Sequence, residues 1–230
     1  MRRVYTTVEA RPVEGCWGVA LDGKPMRTPI KNELVLPSAA LASAIAEEWD
    51  AQRDEIRPAT MPLFRLAATA IDRTAGQRDL VVNEVADYAG TDLLCYRAER
   101  PPALAALQHA VWQKLIDWAS QRYGATLAVT SGIVPAEQSP ATMQAFAAAV
   151  AAQDDFRLAA LHTLTMACGS LVIALALLEG RLDAEAAFAA SQLDETFQIE
   201  AWGEDAEAVI RRRNLAADIE AAARFIALLA

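Results

Sequence analysis

Two histidines, three scattered cysteines and thirty carboxylates are the side chains of this 230-residue chain most able to do chemistry. His109 and His162 lie in separate helical stretches, and neither has a second ligand or base at i+3 or i+4. His162, inside an apolar run, reads as a hydrogen-bonded core residue. Cys16, Cys95 and Cys168 form no CxxC pair and are odd in number, which suits a reducing compartment and argues against a disulfide framework or a zinc site. No GxGxxG, GxxxxGK[ST] or GxSxG occurs, so neither a nucleotide loop of known type nor a serine elbow is expected. No metal or cofactor is implied.

Two carboxylates have less ordinary settings. Asp92 sits in the apolar stretch Thr91-Asp92-Leu93-Leu94-Cys95-Tyr96, where a carboxylate needs a partner; it reads either as a cap or turn-former or as a catalytic acid. Glu195, Gln198 and Trp202 fall at i, i+3 and i+7, so a helix places an acid, an amide and an indole on one face. Core packing accounts for Trp202 alone, and the trio reads equally as a structural network or a partner-binding surface. Trp49, flanked by Glu48, Asp50 and Gln52, poses the same choice, with core packing the simpler account. If Asp92 and Glu195 converged on one pocket, they would make an acid and base pair for a small-molecule enzyme. A scaffold or regulator with some other client is a further alternative.

The elements that must position these residues follow from patterning. Hydrophobic residues make up 54% of the chain, enough to bury a substantial core. Net charge is -9, with six Lys/Arg against four Asp/Glu in residues 1–37 and fifteen against twenty-six in the rest. Such a body repels phosphate backbones, so nucleic acid is not an expected partner, and Arg211 to Arg213 read as a solvated helix face. Residues 1–37 alternate as short strands, with a hairpin signal at Asp22-Gly23 and a last strand through Leu34 and Leu36. Ser38 caps a first helix carrying Leu41, Ile45 and Trp49 along one stripe. Helices follow from Pro62, after Gly76, from Pro101 or Pro102 to Gly124, and from Ser139. Residues 125–135 read as a weak strand or extended loop. One central helix spans Leu158 to Leu178, then come an Asp183-capped helix through Phe197 and a last one after Gly203.

The central run is twenty-one residues without formal charge, the length of a membrane span. His162, Thr163, Thr165, Gly169 and Ser170 interrupt it and its flanks carry no one-sided basic excess, so it reads as a helix buried by neighbours rather than inserted in a bilayer. The N-terminus has two arginines but no apolar segment after them, so no secretory signal is read and a cytosolic protein is expected, although a mature organellar form would look the same. The sum is an α+β chain: an N-terminal α/β domain over residues 1–60, with a small sheet and covering helix, then a helical bundle domain over 61–230.

Several motifs together carry a family resemblance. Leu21-Asp22-Gly23-Lys24-Pro25, Arg27-Thr28-Pro29, Glu48-Trp49-Asp50 with Gln52, Met61-Pro62-Leu63, Ala70-Ile71-Asp72, Thr91 to Tyr96, and Gln198 with Trp202-Gly203 resemble, in order, the assembly-factor-twelve family of F-type ATP synthase chaperones. Phe64, Ala68 and Phe197 depart from its pattern. The resemblance implies a small N-terminal α/β domain followed by an orthogonal helical bundle. It also implies a chaperone that holds the free alpha subunit of the catalytic sector until it joins the beta subunit, without hydrolysing ATP. Glu195 matches a functional position of the family and Trp49 one needed for folding or activity. The expected partner-binding residues are thus Glu195, Gln198, Trp202, Trp49 and Asp92, in the bacterial cytoplasm or the mitochondrial matrix.

Overall fold

A computed structural model describes residues 2–132 and 135–230; Ile133 and Val134, part of the weak strand or extended loop expected over 125–135, lie outside them. Its fold is α+β, a small N-terminal sheet followed by helices. Two compact units divide it: Met1–Arg78 with Asp154–Ala160 and Arg224–Ala230, and Asp79–Gln153 with Leu161–Ala223.

In the first unit β1 (Val8–Val13), β2 (Cys16–Leu21) and β3 (Lys24–Pro25) form an antiparallel meander. Val8 pairs with Leu21 and Val13 with Cys16, turning at Glu14-Gly15; Asp22-Gly23 makes the second turn, as its sequence predicts. The strand expected through Leu34 and Leu36 is reduced to bridges, Trp17 to Leu36 and Arg27 to Glu33. A Cβ on Gly18 would lie 3.2 Å from the Leu34 carbonyl, which explains the glycine in mid-strand. Helix α1 (Ala39–Asp50) packs on β1 and β2, opened by Ser38, whose hydroxyl accepts the Leu41 N–H at 3.1 Å. Leu41 and Ile45 are fully buried on it, each stabilising the fold by about 2 kcal/mol.

Helix α2 (Pro62–Thr69) has no side-chain cap of its own. Glu48 supplies one from α1, its carboxylate accepting the Leu63 and Phe64 N–H groups at 2.8 and 2.9 Å. A π-helical turn over Ala70–Thr74 follows, and the Asp72 carboxylate accepts from the Thr28 hydroxyl at 2.6 Å and the Asn32 amide at 3.0 Å. The C-terminal segment closes this unit: Phe225 is fully buried and stacks on Phe156, and the Ser38 hydroxyl donates to the Leu228 carbonyl.

The second unit contains α3 (Arg78–Asp87) from Asp79 onward, the short parallel pair β4 (Tyr96–Arg97) and β5 (Thr130–Ser131), α4 (Pro102–Tyr123) and α5 (Pro140–Ala151). Gly124 at φ +68° ends α4 in the left-handed conformation that glycine adopts without strain. The expectation of one central helix is overturned. Gly169, at φ +63°, parts α6 (Asp155–Cys168) from α7 (Leu171–Leu178), and the Ser170 hydroxyl caps α7 by accepting the Ile173 N–H. The helix expected through Phe197 is likewise two, α8 (Ala184–Ser191) and α9 (Leu193–Trp202), and α10 (Ala206–Ala227) is the last. Among the described residues no helix is long and apolar enough to cross a membrane.

Candidate functional site

The residues singled out by sequence separate into two buried ones and three on α9. Trp49 is 6% exposed and fixed in the core of its unit. Its ring meets Tyr5 at 5.8 Å and Phe64 at 5.1 Å, and its carbonyl accepts the Tyr5 hydroxyl at 2.8 Å. Asp92 has no exposed surface at all. One carboxylate oxygen accepts the Leu94 N–H at 3.0 Å and the other the Val172 N–H at 3.1 Å, while the Leu93 N–H donates to the Gly169 carbonyl at 3.0 Å. Asp92 thus caps the 3-10 turn Leu93–Cys95 and the first turn of α7, satisfying backbone groups that the helix break would otherwise leave bare. Burial pushes its pKa up, opposed by these N–H donors. Of its two readings, the structure gives Asp92 the role of a cap.

Glu195, Gln198 and Trp202 share one side of α9. Glu195 pairs with Arg211 of α10 at 2.5 Å, Gln198 is exposed, and Trp202, the last residue of the helix, is 80% exposed. Core packing therefore does not account for Trp202. A helix rarely leaves its largest apolar side chain in water at its tip, and such a residue is a natural anchor for a partner. Gly203 follows at φ +85° and ends the helix. Asp92 and Glu195 do not form an acid and base pair, because Asp92 is sealed from solvent and Glu195 is engaged with Arg211 at the surface.

Sequence reading missed what steadies this face. Arg212 was expected on a solvated helix side, but its side chain is 15% exposed and reaches four groups, among them the Gln192 amide oxygen at 3.5 Å. It lies 3.3 Å from Glu204, donates to the Thr196 hydroxyl at 3.0 Å, and sits over the Phe188 ring. Buried Gln108 of α4 donates to Asp194 at 2.8 Å, holding the start of α9. These partners are 16 and 86 residues apart, beyond any spacing rule within one helix. His162 lies 3.5 Å from Glu84 and is half-buried. Burial pushes the thiols of Cys95 and Cys168 up to about 12 each, which makes both inert as nucleophiles. Among the described residues no group of His, Cys, Asp and Glu is placed to hold a metal.

Comparison with known proteins gives consistent results. The family profile of the ATP12 chaperone protein matches residues 2–120. Among solved structures, Atp12 from Paracoccus denitrificans is 45% identical, with a TM-score of 0.95 over all of this chain and 98% of that one. A point mutant of the same bacterial protein gives 44% and 0.95. The mitochondrial protein atp12 of Schizosaccharomyces pombe is 25% identical over 222 residues, covering 90% of this chain and 76% of that protein.

Proposed function

Because the chain belongs to the ATP12 chaperone family, we propose that it is an assembly chaperone of the F-type ATP synthase, holding the free alpha subunit of the catalytic sector until the beta subunit joins it. The observation that carries this reading is Trp202, 80% exposed at the end of α9 with Gln198 and Glu195 on the same side. A subunit shaped to be buried between neighbours exposes apolar surface while it waits, and such surface aggregates. Covering it takes an interface of roughly 1,200–2,000 Å² with a few aromatic anchors. Trp202 supplies an anchor, and the charge of -9 supplies attraction to a basic patch on the client. Trp49 and Asp92 serve the same end indirectly, by fixing their units. The protein works in the bacterial cytoplasm or the mitochondrial matrix, without a cofactor and by binding alone.

The test is aggregation of purified alpha subunit diluted from denaturant, followed by light scattering. The chain at equal concentration should suppress scattering, and added beta subunit should displace it. Scattering that rises unchanged in its presence rejects the proposal.

A further inference from the structure

Helices α4, α8 and α9 enclose an open groove of about 600 Å³, and Leu107, Val111, Leu182, Ala186, Leu193 and Phe197 line it. On α9 the groove residues Leu193, Phe197 and Glu200 lie opposite Glu195, Gln198 and Trp202, at about 100° of rotation per residue. It is therefore a second surface, separate from the Trp202 face. Leu107, 42% exposed, and Lys114 mark two turns of α4, a length of about 10 Å.

Three charged residues stand among the lining: Lys114, Arg181 and Glu200. None has an ion pair among the described residues, although thirty carboxylates compete for twenty-one cations in this chain. The segment from Glu179 to Asp194 runs antiparallel to α4. Arg122 bonds Glu179, the Trp112 indole donates to the Ala190 carbonyl, and Gln108 donates to Asp194. Arg181 thus lies toward the C-terminal end of α4, and Lys114, in mid-helix, stands on that side of Leu107 and Val111 in the groove. A groove two turns long, apolar along its floor and lined by two cations, Lys114 and Arg181, against one acid, Glu200, fits an amphipathic helix with anchors at i, i+3 or i+4, and i+7. The negative end of a helix, about half a unit charge, and acidic side chains near it would meet the cations.

We propose that this groove takes an amphipathic helix of the client, its C-terminal, acidic turn seated over Lys114 and Arg181. The inference rests on the chaperone reading and gives the client a second point of attachment.

The experiment measures affinity of the purified chain for the alpha subunit. Ala189→Trp fills the groove from an exposed position of α8, and Lys114→Glu with Arg181→Glu inverts its charge. Each should weaken binding at least tenfold with an unchanged melting temperature, and a photo-cross-linker at position 189 should capture the apolar stripe of an alpha-subunit helix. Should Ala189→Trp fail to fold, the two surface charge changes still decide. Full affinity in the charge-reversed variant, or cross-linking to an extended client segment or to a second copy of this chain, overturns the groove and leaves the chaperone reading standing. If the unmodified chain does not bind the alpha subunit, both fall.

Discussion

Asp92 accepts the backbone N–H of Val172 at 3.1 Å, directly after the point where Gly169 parts α6 from α7. With the Ser170 hydroxyl on the Ile173 N–H, this contact lets an uncharged run of twenty-one residues turn inside the core, because the amides freed by the break find acceptors that a straight helix would not need.

Replacing Asp92 with Ala strands the Val172 and Leu94 amides, and each buried unpaired donor costs about 1–3 kcal/mol. Asp92→Ala should therefore lose about 3 kcal/mol of stability, read as a lower urea midpoint. A midpoint equal to that of the unmodified chain would show that water takes the place of the carboxylate.

Glu195→Gln should leave stability within about 0.5–1 kcal/mol, since the pair with Arg211 is exposed and such pairs contribute little. Glu195→Lys is the harsher change, because it sets two cations together between α9 and α10. Binding of the alpha subunit should weaken in both, more in the lysine variant. Equal pull-down by all three forms removes Glu195 from the contact face.

Trp202→Ala should not move the melting temperature, as the indole is 80% exposed, yet it should weaken client binding at least tenfold. Of the five tryptophans Trp49 and Trp112 are buried and Trp17 and Trp118 half-buried, so acrylamide quenching should fall on adding the alpha subunit in the unmodified chain and fall less in Trp202→Ala. Quenching that stays constant while binding is detected otherwise would place the interface elsewhere.

Asp22 accepts the backbone N–H groups and hydroxyls of Thr7 and Thr6, and the Thr7 N–H does most to lower its pKa from 3.8 to about 2. A depressed folded pKa contributes stability that is present above the unfolded value and lost as pH falls toward the folded one. Asp22→Asn, which tolerates the positive φ of 47° at this turn, should be less stable than the unmodified chain at pH 5. That difference should close as pH drops toward about 2. Urea titrations at both pH values measure it, and a gap that persists in acid excludes the carboxylate as its source.

Cys95 and Cys168 are buried, with pKa values pushed up to about 12, while Cys16 is half-buried. At neutral pH a thiol reagent should modify Cys16 alone in the native protein and all three after unfolding. Rapid native labelling of more than one thiol would mean that the second unit opens readily.

Most helix starts and stops were legible because their signals are local. Ser38, Ser139 and Asp183 cap where their side chains suggest, Pro102 opens α4 and Gly124 ends it. The Asp22-Gly23 turn and the α+β class follow from alternation and periodicity in the same way. Several motif acids that suggested the family proved to be fasteners of backbone: Asp22 on Thr6 and Thr7, Glu48 on α2, and Asp92 on α7.

What lay beyond the sequence were choices between distant groups. Hydropathy could not show that the apolar run from Leu158 to Leu178 is two helices, since one of the acceptors that satisfy the break, Asp92, lies 80 residues away from Val172. Composition could not say that Trp49 is interior and Trp202 exterior, because both are large and apolar beside acids; burial is set by which helix faces which. Nor did any spacing reveal that Arg211 and Arg212 secure α9, or that α4, α8 and α9 enclose a groove. Local pattern determined the elements and the family likeness, whereas long-range packing decided which side chains remained free to meet another protein.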